Sequence, residues 1–205
     1  MTFTSQPLEY VIHIALSGAA VEEDSEDSEV LPVLSTDDSP VVVVMGVSGT
    51  GKSTVGGLLA GRLGVPYAEA DEFHSADNIA KMASGQPLDD TDRAPWLDAI
   101  GAWAHERAGT GGVVSCSALK RAYRDRLRAA EPRLFFVHLT GDRDLIAARL
   151  AGRKDHFMPT SLLDSQLAAL EPLQDDEPGV ALSVDAAPET LTEQAAAALC
   201  RPQAA

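Results

Sequence analysis

Cysteine is scarce in this chain. Cys116 and Cys200 are the two present; they form neither a metal-binding spacing nor a redox pair, which suits a reducing compartment. Long apolar runs are missing as well: no window reaches the ~18 uninterrupted apolar residues of a membrane-spanning helix, and the N-terminus lacks the basic region of a signal peptide. Both absences lead to the expectation of a cytoplasmic protein with no membrane partner. Basic residues are also few, 16 Lys and Arg against 31 Asp and Glu for a net charge of −15. That balance removes the basic footprint needed for general nucleic-acid binding. The deficit is uneven, because residues 1 to 40 hold nine acids and no Lys or Arg, leaving a net −6 in the remainder. An anionic substrate must therefore be met by locally placed cations.

What the chain does have is the stretch from Val41 to Thr54, VVVVMGVSGTGKST. Four β-branched valines and a Met read as a buried strand, and Gly46-x-x-x-x-Gly51-Lys52-Ser53 fits the Walker A pattern at every fixed position. In such a loop the glycines free the backbone to wrap phosphates with its N–H groups, across Gly46, Val47, Ser48, Gly49, Thr50 and Gly51. A helix starting near Lys52 adds its positive dipole end, the Lys52 ammonium reaches the outer phosphates, and Ser53, followed by Thr54, supplies a hydroxyl for Mg²⁺. A ligand-free glycine turn is the alternative, but the strand before the loop and the helical LLAGRL run after it favour a nucleotide site. The expected phosphate donor is ATP with Mg²⁺.

A length of 205 residues suits one α/β domain and is short for two. Residues 1–39, with the run EEDSEDSE, read as an acidic disordered extension, and 40–205 as the folded domain. From Pro40 strands and helices alternate, the pattern of a parallel sheet with helices on both faces. Strands are expected near 41–45, 66–70, 112–116, 133–139 and 180–184. Helices are expected near 52–63, 75–84, 92–108, 119–130, 142–151, 160–170 and 188–199. Ligands of such sheets sit beyond the carboxyl ends of the strands, so the loops there carry the candidate residues.

After the second strand, Glu69 and Asp71 face the phosphate loop, where one carboxylate can hold Mg²⁺ through water and another can orient or deprotonate an attacking hydroxyl. Asp90 or Thr91 is the expected N-cap of the third helix, with Pro95 in its first turn, and Arg93 is a candidate to bind an anionic group on the acceptor. Trp96 and Trp103, seven apart on that helix, read as core. Lys120 and Arg124 share a helical face at a helix start, where the dipole disfavours cations, so a partner anion is expected; a plain solvated surface is the alternative. Cys116 reads as a small buried residue. Arg149 and Arg153 are also four apart, and of the two Arg153 better suits a closing lid that stabilises the transferring phosphoryl.

Taken together, GVSGTGKST, the D-x-x-H of Asp71 to His74, NIAKMASGQPLDDTDRAPWL, CSALKRAYRDRLR, RKDHF, and Gln166 with Leu170-Glu171-Pro172 resemble the gluconokinase family, a small P-loop type related to shikimate kinase and adenylate kinase. The resemblance spans about residues 41 to 190. It implies a three-layer P-loop NTPase fold, with a five-stranded parallel sheet in the order 2-3-1-4-5, helices on both faces and a lid. It implies transfer of the γ-phosphoryl of ATP to the 6-hydroxyl of D-gluconate. By similarity Lys52, Asp71 and Arg153 are catalytic, with Asp71 binding the acceptor hydroxyl. His74, Arg93, Lys120 and Arg124 line the gluconate pocket, and Arg149 lies over adenine against the loop from Asp185 to Pro188. Ser53 and Glu69 are the magnesium-side residues, Glu69 standing where related kinases often carry Asp. Family members are often dimers, so a homodimer is the assembly implied. Two other readings stay open at this point: a related kinase with another hydroxyl acceptor such as shikimate, and a nucleotide-binding switch, although the GTPase Asn-Lys-x-Asp motif is missing.

Overall fold

The computed structural model of the protein describes residues 39–152 and 160–200. All of the expected extension except Ser39, and the lid residue Arg153, lie outside the described residues.

Strand β1 (Ser39–Met45) is the middle of a five-stranded sheet. It is followed by helix α1 (Lys52–Leu63), strand β2 (Tyr67–Glu69), a 3-10 turn at Ala70–Phe73 and helix α2 (Ala76–Ala83). Then come α3 (Asp90–His105), β3 (Thr110–Ser115), α4 (Arg121–Ala130), β4 (Phe135–Thr140), α5 (Arg143–Ala151), α6 (Thr160–Ala169), β5 (Gly179–Ser183) and α7 (Pro188–Leu199). Every strand pairing is parallel and the order is β2-β3-β1-β4-β5, the order that the resemblance implies. Val43 of β1 lies opposite Val114 of β3 on one side and Phe136 of β4 on the other.

The valine run follows from having both faces covered. Val41, Val43 and Met45 pack with Trp96, Leu97 and Ile100 of α3 and Leu127 of α4. Val42 and Val44 pack with Val55 and Leu59 of α1 and Leu191 and Ala195 of α7. With apolar layers on each side, alternation with polar residues has no place in β1.

Element ends differ from expectation where local hydrogen bonding decides them. The N-cap of α3 is Asp89: its carboxylate accepts from the N–H groups of Thr91 and Asp92, and the Asp92 carboxylate accepts from the Asp89 N–H. This reciprocal capping box starts the helix two residues early and moves Pro95 into the second turn. Asp90 is thereby freed for other partners. The 3-10 turn that carries Asp71 is too short to leave a periodic signal in the sequence.

His138 of β4 is buried, and its Nε2 has no hydrogen-bond partner among the described residues. Burial depresses its pKa to about 4; the charge of Arg124 adds to the depression and that of Glu177 opposes it. The unfolded chain takes up a proton here near pH 6.5 that the folded chain refuses. Stability therefore falls as pH drops from about 6.5 towards 4, by up to roughly 3 kcal/mol from this group. His138→Asn removes the titration. Urea denaturation at pH 7.5 and pH 5 should show the variant losing less stability on acidification than the wild type, and equal losses would reject this account.

Candidate active site

The turn between β1 and α1 depends on glycine at two positions. A Cβ on Gly46 would stand 2.6 Å from the Leu139 carbonyl oxygen, and Gly51 sits at φ 91° as the residue before α1. Both conformations are open to glycine at little cost. At the start of α1 no side chain caps the helix and no acid lies in the first turn among the described residues. Its orphan N–H groups and dipole are therefore presented to an external anion. Lys52 Nζ donates to the Val47 carbonyl at 3.1 Å, so the ammonium bends back over the loop. Ser53 and Thr54 are exposed at the helix mouth.

Glu69 ends β2 beside this loop, and its carboxylate accepts hydrogen bonds from the Tyr67 hydroxyl and Ser115 Oγ. Burial pushes its pKa up, but hydrogen bonds from Ser115, Tyr67 and Ser53, with the Lys52 charge, outweigh burial and hold it below the usual carboxylate value. The Tyr67 phenol is pushed up to about 12, chiefly by burial. An ionised carboxylate next to the Ser53 hydroxyl suits the outer shell of Mg²⁺, which keeps several waters and takes its other ligands from phosphates. Among the described residues no cluster of three or more His, Cys, Asp or Glu could hold a metal by itself.

Beside the phosphate loop lies a cavity of about 630 Å³. The sequence-derived candidates Asp71, His74, Arg93 and Lys120 all line it. The 3-10 turn presents Asp71, α3 presents Arg93, and the β3–α4 connection carries Ser117 to Lys120. The His74 ring stacks on Trp96 with centroids 4.7 Å apart and planes 7° apart. Trp96 Nε1 in turn donates to the Ala70 carbonyl at 2.6 Å. Burial lowers the His74 pKa, Asp71 pushes it up and Arg93 down, and the net shift is downward. At neutral pH the imidazole is therefore a neutral hydrogen-bonding group and not a third cation. Trp96, expected as core, is at once core and cavity wall.

The cations of the cavity have an internal counter-ion that the sequence did not reveal. Lys120 Nζ donates to both oxygens of Asp90 at 3.0 and 2.9 Å, and Arg93 Nη1 stands 3.6 Å from the same carboxylate. Tyr123, another wall residue, donates its hydroxyl to Asp90. The Asp90 carboxyl is held low by its bonds to Lys120 and Tyr123, and the Lys120 ammonium is held high by Asp90.

Arg124, expected in the pocket, is placed elsewhere. It is 0% exposed and does not line the cavity. Its Nε and Nη2 donate to the two oxygens of Glu177 at 2.6 and 2.8 Å. Its remaining donors reach the carbonyls of Ala118, Leu119, Glu171 and Pro172. The reason is position along α4: Arg124 lies in the second turn and points under the β3–α4 loop, while Lys120 precedes the helix and faces the cavity. The anions inferred from cations at a helix start are thus Asp90 for Lys120 and Glu177 for Arg124. Glu171 also accepts from the Arg121 N–H at the first helical position.

On the other side of the loop, Arg149 Nη2 donates to the Val184 carbonyl at 2.6 Å, which sets it beside the stretch from Asp185 to Pro188. Cys116 is buried, and burial pushes its thiol up to about 12, which fits a packing residue. Gln166 of α6, noted in sequence only as part of a motif, lines the cavity and hydrogen-bonds Ser48 of the phosphate loop.

A Walker A loop at the carboxyl end of the central strand, next to a cavity holding a carboxylate and paired cations, defines an ATP-dependent kinase of a small acceptor. The family model for shikimate kinase matches residues 48–177. A gluconokinase from Gluconobacter oxydans is 50% identical over 155 residues, covering 75% of this chain and 87% of that protein. The thermoresistant gluconokinase of Escherichia coli is 44% identical, covering 72% and 86%. The crystal structure of a gluconokinase from Sinorhizobium meliloti superposes with a TM-score of 0.73 at 46% identity, covering 81% of this chain and 93% of that one. The chain belongs to the gluconokinases within the shikimate kinase family.

The Arg124 placement has a measurable consequence. Removing the guanidinium takes from the buried Glu177 its bidentate partner and leaves it Arg121 Nη1 at 3.7 Å and the Gln174 N–H, a loss of about 3 kcal/mol, the low end for broken buried pairs. Arg124→Ala should lower the denaturant midpoint accordingly, and Arg124→Lys should recover only part because an ammonium cannot span the carboxylate and four carbonyls. A wild-type midpoint in Arg124→Ala would contradict the arrangement.

Proposed function

We propose that the protein is a gluconokinase, moving the γ-phosphoryl of ATP to the 6-hydroxyl of D-gluconate to give 6-phospho-D-gluconate and ADP. The observation that carries this reading is the cavity beside the phosphate loop. Its lining has one carboxylate, Asp71, and two cations, Arg93 and Lys120, which form a cluster with Asp90, itself not a lining residue. Within that cluster two cations stand against one carboxylate and leave one net positive charge, which matches an acceptor with a single carboxylate. The neutral His74, Ser117 and Gln166 supply short polar groups for hydroxyls.

In this reading the amides of the phosphate loop other than those of Gly46, Ser48 and Thr50, which bond within the protein, hold the outer phosphates together with Lys52, and Ser53 with Glu69 serves the Mg²⁺ side. The bound ion would neutralise charge developing on the phosphates. Asp71 accepts the hydrogen bond of the attacking hydroxyl and takes its proton as the new O–P bond forms and the bond to ADP breaks. Arg149 sits on the adenine side. Arg153, outside the described residues, is assigned to the transferring phosphoryl by the family resemblance.

ADP production measured across a panel of hydroxy acids tests the proposal. Gluconate should stimulate turnover well above the acceptor-free rate; stimulation by shikimate or another acid with none by gluconate would sink it. Asp71→Asn should cut kcat by on the order of 10² to 10⁴ with ATP affinity kept, a result excluded if nucleotide binding collapses with turnover. Lys52→Ala should abolish transfer, since charge on the outer phosphates loses its compensation; near-normal turnover in that variant would remove Lys52 from the site.

A further inference from the structure

The phosphate loop and the acceptor cavity are joined at one side chain. Gln166 projects from α6 into the cavity wall, and its amide meets Ser48 twice: Oε1 accepts the Ser48 backbone N–H at 2.7 Å, and Nε2 donates to Ser48 Oγ at 3.1 Å. The orientation of the amide is forced, because a backbone N–H can only donate and so must face the carbonyl oxygen. Nε2 then occupies an acceptor lone pair of the serine, which leaves the Ser48 hydroxyl proton available to a further acceptor. Three residues earlier on the same helical face, Leu163 is fully buried against Val47, Ile146 and Leu150. Helix α6 is thus anchored on the phosphate loop by an apolar contact, and Gln166 sets the register of that contact. A second tie runs from the opposite wall, where the Gly46 N–H donates to the Ser117 carbonyl at 3.3 Å.

We propose that Gln166 is a positioning residue for phosphoryl transfer. By holding Ser48 through both its N–H and its hydroxyl, the amide fixes the phosphate loop at one distance from the acceptor cavity, and it orients the Ser48 hydroxyl as a donor at their junction. The attacking hydroxyl and the phosphoryl are presented to each other only when both sides of this clamp are in place, so its loss favours transfer to water over transfer to the acceptor. The inference rests on the gluconokinase reading. No shorter or purely accepting side chain reproduces the clamp: Asn lacks the reach, and Ala lacks both bonds.

The experiment compares wild type, Gln166→Ala, Ser48→Ala and the double variant. It measures phosphogluconate formed and total ADP released in the same reaction, with the KM for ATP and the melting temperature. Gln166→Ala should lower kcat for gluconate on the order of tenfold or more, the scale of a small misplacement of reacting groups. The KM for ATP should stay within about threefold, and the fraction of ATP turnover that phosphorylates gluconate should fall. That fraction does not depend on how much enzyme is folded, so a merely structural role would leave it unchanged even if the melting temperature drops. Because Ser48 acts with Gln166, the double variant should lose less than the product of the two single losses. An unchanged fraction in Gln166→Ala, or independent losses in the cycle, would overturn the inference. The proposed function stands or falls separately, on the wild type alone, and fails only if the wild type makes no phosphogluconate.

Discussion

The buried pair between Arg124 and Glu177 is the constraint on which the acceptor side of this molecule depends. A charge at 0% exposure costs several kcal/mol to desolvate and is tolerated only when every donor finds a partner. Arg124 meets that condition by drawing together the β3–α4 loop, the chain leaving α6 and Glu177. The loop held this way contains Ala118 at φ 42°, a left-handed conformation that a non-glycine residue keeps only when its surroundings over-determine it. The same loop presents Ser117, Leu119 and Lys120 to the cavity. An arginine that touches no cavity surface therefore shapes one wall of the site.

The phosphate side is built differently, mainly from backbone, with the Glu69, Tyr67 and Ser115 side chains bonded beside it. Its geometry comes from the strand that ends at Met45, glycines where a Cβ would clash or be strained, and a helix N-terminus with no acid in its first turn among the described residues. Between the two sides stand Gln166 and Ser117, each bonded to the phosphate loop and each in the cavity wall. Charge at the acceptor end is moderated by Asp90, which holds Lys120 and Arg93 in place without cancelling both.

Much of this was legible in the amino-acid order because its signals are local. The valine run, the Walker spacing and the alternation of strands with helices each act over short stretches of chain, and the five strands fall close to where they were expected. Asp71, His74, Arg93 and Lys120 were legible through a motif pattern, and all four meet at one cavity. What escaped were partnerships across long separations. Asp90 pairs with Lys120 thirty residues away, Glu177 with Arg124 fifty-three away, and Gln166 with Ser48 one hundred and eighteen away. Arg124 looked like a ligand residue because its sequence neighbours suited one; nothing local says that its side chain points beneath a loop. Asp90 looked like a cap because capping is local, but the competing Asp89 and Asp92 box was better placed to satisfy the first N–H groups.

By itself, then, the sequence determined a parallel α/β chain with a phosphate-binding loop, since β-branched runs, glycine spacing and helix starts obey short-range rules of sterics and hydrogen bonding. Only the tertiary structure decided which charges face the acceptor and which serve the scaffold. Two arginines and a lysine of similar sequence promise were sorted into cavity and interior by where each stands, on α3, before α4 or in the second turn of α4. The burial of one guanidinium was made tolerable by carbonyls and a carboxylate that the chain brings back from a distant part of its own length.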